Sequence, residues 1–247
     1  MGKIIRGNFR KEASDVTVII AAAGKGARME LGFNKLFLQV QERPIIAYTL
    51  LAFETMPLVD NIIVVANEND FSELSSIVRE FEFSKVSQIV IGGNTRKESI
   101  SKGLEAVPDS CDIVLVHDGA RPLVNHEIIE STIDAVKAYG AAAVGTYATD
   151  TVKRVDSEGI IQGTLDRGST VFMQTPQGFK KEIIDDMYKY AEVNGICDVT
   201  DDCVLAEKAG YGVKIVEGNS VNMKLTLPSD FVTISACLSF IYGDYEY

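Results

Sequence analysis

The feature that most restricts this chain is Val16-Thr17-Val18-Ile19-Ile20 followed directly by the small-residue stretch Ala22-Ala23-Gly24-Lys25-Gly26. A β-branched apolar run without polar alternation reads as a strand buried on both faces, as in a parallel sheet. The loop after it carries no large side chain except Lys25, so the backbone can turn sharply and bring its N–H groups close to a ligand. Backbone donors beside fixed positive charge suit an anionic, phosphorylated ligand, because together they replace water around phosphate oxygens.

Spacing excludes two familiar phosphate loops. A dinucleotide fingerprint needs a third glycine where this chain has Ala27-Arg28-Met29, and a P-loop needs Gly-Lys-Ser/Thr after four intervening residues. Gly24 and Gly26 alone would suit any βα turn. With Arg28 and then Lys35 seven residues on, the pattern resembles the signature of sugar-phosphate nucleotidyltransferases.

Beyond Lys35, strand and helix alternate. The spacing predicts a helix over Ile45–Phe53 with Pro44 in its first turn, a strand at Ile62–Ala66, a helix near Phe71–Phe81 and a strand near Val86–Ile91. Thr95 and Glu98 form a candidate capping box for a helix reaching about Val107, and Asn125 can cap the helix after the strand Ile113–His117. Repeated βα units point to an α/β fold, a Rossmann-like, mostly parallel doubly wound sheet whose ligand crevice lies outside the carboxyl ends of its strands. The first loop, Gly92-Gly93 and Asp118-Gly119-Ala120-Arg121-Pro122 all follow strands, so this fold brings them to one rim. After Tyr147 a hairpin, Thr151–Val155 and Ile160–Thr164, projects as a β-arm spanning about 150–174. A helix near Lys180–Val193, a helix Cys203–Lys208 capped from Thr200-Asp201-Asp202, short strands at Tyr211–Val216 and Met223–Thr226, and a last helix Pro228–Phe240 complete the chain.

Residues 15–247 read as one domain and residues 1–14 as a frayed extension lacking a signal-peptide core. No apolar run approaches the roughly 18 residues that span a bilayer, so a soluble, cytoplasmic protein without a membrane partner is expected. The net charge of −11 argues against a nucleic-acid partner. Residues 1–35 nevertheless hold seven Lys/Arg against three acids, a balance of +4 that leaves −15 for the rest. Cys111, Cys197, Cys203 and Cys237 form no C-x-x-C pair, and reduced, structural thiols are the default. His117 and His126 have no metal-ligand spacing and no serine-hydrolase context, and both read as structural.

Taken in order, several motifs are similar to those of the 2-C-methyl-D-erythritol 4-phosphate cytidylyltransferase family. They are Ala22-Ala23-Gly24-Lys25-Gly26-Ala27-Arg28-Met29, Lys35, Gly92-Gly93, Val116–Pro122, Asp150-Thr151-Val152-Lys153, Asp166-Arg167, Gln174-Thr175-Pro176-Gln177, Thr200-Asp201-Asp202 and Asn222-Met223-Lys224. The resemblance implies attack of a polyol-phosphate oxygen on the α-phosphorus of CTP with loss of pyrophosphate. Arg28 and Lys35 then take the catalytic role. Ala22, Ala23, Gly24, Lys25, Gly26, Gly93, Asn94 and Ser99 hold CTP. Asp118 lies near Mg²⁺ and the substrate hydroxyls, and Lys224 positions the acceptor phosphate. Arg121 either touches ligand or braces its own loop by ion pairing. The β-arm implies a homodimer in which Thr151 and Arg167 reach the acceptor phosphate across the interface, consistent with the marginal stability of a lone two-stranded ribbon.

Two positions depart from the family pattern. Asn94 replaces a common aspartate, keeping an acceptor oxygen without the charge. Asn34 replaces a usual proline, which leaves the approach to Lys35 less constrained. The nearest rival is a ribitol 5-phosphate cytidylyltransferase, disfavoured because Ala22-Ala23-Gly24 stands where those enzymes carry Gly-Gly. A non-catalytic nucleotide-binding regulator is disfavoured by Arg28, Lys35 and Asp118 occurring together.

Overall fold

A computed structural model describes residues 15–24, 32–197 and 199–243. The extension expected over residues 1–14, and Lys25, Gly26 and Arg28 of the first loop, lie outside those residues. The chain runs β1 (Val16–Ala22), β2 (Gln39–Val40), β3 (Arg43–Pro44), α1 (Ile45–Glu54), β4 (Asn61–Ala66), α2 (Phe71–Glu80), β5 (Val86–Ile91), α3 (Arg96–Leu104) and β6 (Ile113–Asp118). It continues through α4 (His126–Tyr139), β7 (Ala141–Tyr147), β8 (Lys153–Val155), β9 (Ile161–Thr164), β10 (Val171–Lys180), α5 (Lys181–Val193), α6 (Asp202–Lys208), β11 (Lys214–Glu217) and α7 (Pro228–Tyr242).

Seven strands form one sheet in the order β11-β7-β10-β6-β1-β4-β5. β1 lies between β4 and β6 and parallel to both, with Ile19 beside Ile63 and Val116. β10 alone runs against its neighbours, antiparallel to β6 and β7. Because β4 flanks β1 on one side and β6 on the other, strand order reverses at β1, which opens a crevice at its carboxyl end.

Side chains of β1 alternate between two cores, as the unbroken apolar run requires. Val18 and Ile20 pack with Ile45, Phe53, Leu74, Ile129 and Leu238, from α1, α2, α4 and α7. Ile19 packs with Ile100, Ile184, Met187 and Leu205, from α3, α5 and α6. Each large apolar side chain so enclosed stabilises the fold by about 1.5–3 kcal/mol. Phe53, fully buried, also meets the His117 ring edge-on at 4.9 Å.

Local physics moves several expected boundaries. Pro44 is the N-cap of α1 in extended conformation (φ −69, ψ 150), not part of its first turn. α3 stops at Leu104 short of Val107, consistent with Pro108 disfavouring helical backbone at the residue before it. Met223–Thr226 is not a strand: its backbone partner is a loop, with the Leu225 N–H donating to Ala120 O at 2.8 Å. The strand expected from Tyr211 begins only at Lys214, where pairing with Ala142 starts. Sequence reading assigns no strand to Ala141–Tyr147 and takes Met173–Gln177 only as the path by which the chain returns from the arm, whereas the structure has β7 and β10 there. The sheet tolerates Pro176 through a register shift between Met173 and Gln177. The hairpin is present as β8 and β9, a separate two-stranded sheet on which Val155 and Ile161 are 52% and 60% exposed.

Candidate active site

A cleft of about 860 Å³ opens at the carboxyl ends of β1, β4, β5 and β6. Ala22, Ala23 and Gly24 form the part of its wall that continues β1. Gly92 and Gly93 are glycines because space runs out. A Cβ on Gly92 would sit 2.8 Å from Ala23 Cβ and from Ser99 Oγ, and one on Gly93 would sit 2.3 Å from Glu98 Cβ. The turn after β5 is therefore pressed against both the first loop and the start of α3.

That turn organises itself through its own donors. Thr95 Oγ1 accepts the Glu98 N–H at 3.1 Å, but the Glu98 carboxylate accepts from Asn94 N–H at 2.8 Å instead of closing the expected box on Thr95. Ser99 Oγ accepts from Gly93 N–H at 3.1 Å and donates to Thr95 O at 2.8 Å. Gly93 and Ser99 thus brace each other while both line the cleft.

Sequence reading missed Arg96. Its Nη2 lies 2.6 Å from a carboxylate oxygen of Asp202, which also accepts from the Tyr188 hydroxyl at 2.7 Å. The Asp202 N–H donates to Gln177 Oε1 at 3.0 Å. Burial favours the neutral guanidine, but the adjacent Asp202 carboxylate outweighs it and raises the Arg96 pKa. Burial, reinforced by Asp202, holds the Tyr188 hydroxyl protonated. Arg96 lines the cleft, and its buried Nη1 has no hydrogen-bond partner among the described residues. A cation in the first turn of a helix opposes the helix dipole, and that mismatch was the available signal.

Opposite charges concentrate around Asp118. Its Oδ2 lies 3.0 Å from Lys224 Nζ and 3.2 Å from Arg121 Nε. Burial would raise this carboxyl, but Lys224, Arg121 and Arg96 outweigh it and hold Asp118 well below the usual carboxylate range. Arg121 Nη1 donates to Asn222 O at 2.8 Å, and Arg121 does not line the cleft. The segment 222–225 thereby lies along the Asp118 turn. Buried Lys35, from the far end of the sequence, donates to Leu225 O and joins the same wall.

Beneath Asp118 runs a hydrogen-bond chain with only one possible direction. His117 Nε2 lies 3.2 Å from Arg121 O, an acceptor, so Nε2 carries the proton. Nδ1 must then accept from the Thr175 hydroxyl 3.0 Å away, whose oxygen accepts the Asp118 N–H at 3.1 Å. Burial depresses His117 to about 3, so the imidazole is neutral at ordinary pH. His126 takes no part in these hydrogen bonds; its Nε2 lies 3.0 Å from Thr55 Oγ1.

Asn34, expected to leave the approach to Lys35 less constrained, is buried and held by hydrogen bonds. Its backbone sits at φ −71, its Oδ1 accepts from Leu36 N–H at 3.1 Å, and its Nδ2 donates to Asp70 at 2.8 Å. Thr151 and Arg167 do not line the cleft: both are exposed, with Arg167 Nη1 donating to Thr149 O at 2.9 Å. Among the described residues no group of three His, Cys, Asp or Glu side chains could hold a metal ion by itself. Asp118, at the end of β6 and already paired with Lys224 and Arg121, is the residue that would hold a hard cation in this cleft, with the remaining ligands drawn from substrate and water.

Comparison with known proteins gives one consistent answer. The family model for 2-C-methyl-D-erythritol 4-phosphate cytidylyltransferase matches residues 16–239. The protein of that name from Clostridium acetobutylicum is 42% identical over 221 residues, 89% of this chain and 96% of the relative. Its counterpart from Bacillus licheniformis is 40% identical, covering 90% of this chain and 94% of the relative. The solved 4-diphosphocytidyl-2C-methyl-D-erythritol synthase from Anaerococcus prevotii superposes with a TM-score of 0.80 at 31% identity, over 92% of this chain and 97% of that one. The Thermus thermophilus 2-C-methyl-D-erythritol 4-phosphate cytidylyltransferase does so with 0.74 at 30%, over 90% and 98%. With its ordered motifs, its doubly wound sheet and these matches, the chain belongs to the 2-C-methyl-D-erythritol 4-phosphate cytidylyltransferase family.

Proposed function

We propose that this enzyme transfers the cytidylyl group of CTP to 2-C-methyl-D-erythritol 4-phosphate, giving 4-CDP-2-C-methyl-D-erythritol and pyrophosphate in non-mevalonate isoprenoid synthesis. The observation that carries the reading is the meeting of Lys35, Lys224 and Asp118 in one cleft at the strand ends. An oxygen of the acceptor phosphate forms a bond to the α-phosphorus, and the bond from that phosphorus to the bridging oxygen breaks. Pyrophosphate leaves with the electron pair.

Negative charge crowds the α-phosphate and grows on the leaving oxygen, so fixed cations there lower the barrier. Lys35 supplies one, and Arg28 supplies another from the first loop. Lys224 orients the acceptor phosphate while its ion pair with Asp118 keeps that carboxylate charged. Mg²⁺, when bound beside Asp118, supplies further neutralisation of the triphosphate. Main-chain groups of Ala22, Ala23 and Gly93, with Gly24, Lys25, Gly26, Asn94 and Ser99, bind the nucleotide, and Arg96, which lines the cleft, adds positive charge that sequence reading did not anticipate.

The exposed apolar residues of β8–β9 support a homodimer through this arm, which brings Thr151 and Arg167 to a partner's cleft. No helix among the described residues is long and apolar enough to cross a membrane, and the thiols are free, as suits a reducing cytoplasm. The test is product analysis by mass spectrometry, with CTP offered alongside other nucleoside triphosphates, and methylerythritol phosphate alongside ribitol 5-phosphate. A CDP-methylerythritol product with CTP as the preferred donor is expected. Faster turnover of ribitol 5-phosphate, or no nucleotidyl transfer at all, contradicts the assignment.

A further inference from the structure

Lys35 follows a residue whose side chain joins two walls of the cleft. Asn34 is 7% exposed and caps the short 3-10 helix Lys35–Phe37, its Oδ1 accepting from Leu36 N–H. Its Nδ2 donates at 2.8 Å to Oδ2 of Asp70, which closes the 3-10 helix Glu68–Asp70 after β4. Only one orientation of the amide serves both neighbours, since Leu36 N–H is a donor and the Asp70 carboxylate an acceptor. The two partners flank lining segments: Lys35 and Leu36 come just after Asn34, and Asn67, Glu68 and Asn69 just before Asp70. Asp70 makes no side-chain hydrogen bond to the start of α2, so capping that helix does not explain it.

We propose that Asn34 and Asp70 are a positioning pair that fixes where Lys35 stands in the cleft, an inference resting on the assignment of Lys35 as the cation acting on CTP. The amide ties the segment that carries Lys35 to the β4–α2 wall, so the ammonium approaches the α-phosphate along one path. Transfer geometry tolerates little error, and a displacement of about 1 Å can reduce a rate by about a hundredfold. Asn34→Asp keeps the capping oxygen but sets two carboxylates against each other. Adding Asp70→Asn restores the hydrogen bond with donor and acceptor exchanged and leaves the net charge unaltered.

The test measures kcat and KM for CTP by pyrophosphate release, together with thermal unfolding, for the full chain carrying Asn34→Asp, Asp70→Ala, the Asn34→Asp/Asp70→Asn pair, and Lys35→Ala with and without Asn34→Asp. The expected result is a kcat lowered about ten- to a hundredfold in Asn34→Asp, with KM little changed. Recovery to near the parent value is expected in the exchanged pair, and no further loss when Asn34→Asp is added to Lys35→Ala. Asp70→Ala, which spares the cap, lowers kcat in the same direction and keeps the inference testable should Asn34→Asp not fold. Unchanged kcat in the single variants, failure of the exchanged pair to recover, or an additional loss on the Lys35→Ala background overturns it. Full turnover by Lys35→Ala alone would instead overturn the assignment of Lys35.

Discussion

At the scale of single residues, the turn after β6 is fastened at both ends by side chains that never reach the cleft. His117 takes the Arg121 carbonyl and Thr175 takes the Asp118 N–H, so the loop that presents Asp118 is held by a neutral imidazole. Its pKa of about 3 against an ordinary 6.5 sets the sign of a pH effect. Between those values the unfolded chain binds a proton that the folded chain refuses, so stability is lost as pH falls through that window, at up to about 1.4 kcal/mol per pH unit. His117→Gln should flatten this part of the urea-unfolding profile relative to the parent, and an unaltered slope would contradict the neutral-imidazole reading. Asn34 marks the limit of sequence at this scale. Loss of a proline ring is visible in sequence, whereas replacement of that restraint by Asp70, 36 residues away, is not.

At the scale of elements, legibility followed local pattern. β1, β4 and β6 declared themselves because a strand buried on both faces needs a nearly continuous apolar run, whereas the edge strand β5 was legible from its Val and Ile content alone, and Asn125 and Asp201 cap their helices as their side-chain chemistry suggests. β10 was hidden because proline inside a strand is judged by local rules, while the register shift that accommodates it is a property of the whole ladder. The β8–β9 ribbon was readable as a hairpin, and its role in a dimer was an expectation drawn from the family resemblance and from the marginal stability of a lone ribbon. Its exposed Ile161 provides the test: in sedimentation at micromolar protein, the parent chain should run as a dimer and Ile161→Asp as a monomer with reduced turnover. A parent chain that is monomeric and fully active would remove the arm, Thr151 and Arg167 from the mechanism.

Across the whole molecule, an acidic chain of net charge −11 collects cations from distant parts of the sequence into one cleft: Lys35, Arg96, Lys102 and Lys224. The strand-end rule made the rim predictable, since loops after β1, β5 and β6 had to share it. The pairing of Arg96 with buried Asp202, 106 residues away, was not predictable, because nothing local to either names the other. On the proposed reading, that convergence turns a general α/β scaffold into a site able to stabilise charge at an α-phosphorus. The most direct test is single-turnover transfer from CTP to methylerythritol phosphate by the parent chain and by Lys35→Ala, each at saturating substrate. Our account predicts a loss of roughly two to three orders of magnitude in the transfer rate with folding intact. A Lys35→Ala enzyme that transfers the cytidylyl group at the parent rate would contradict it.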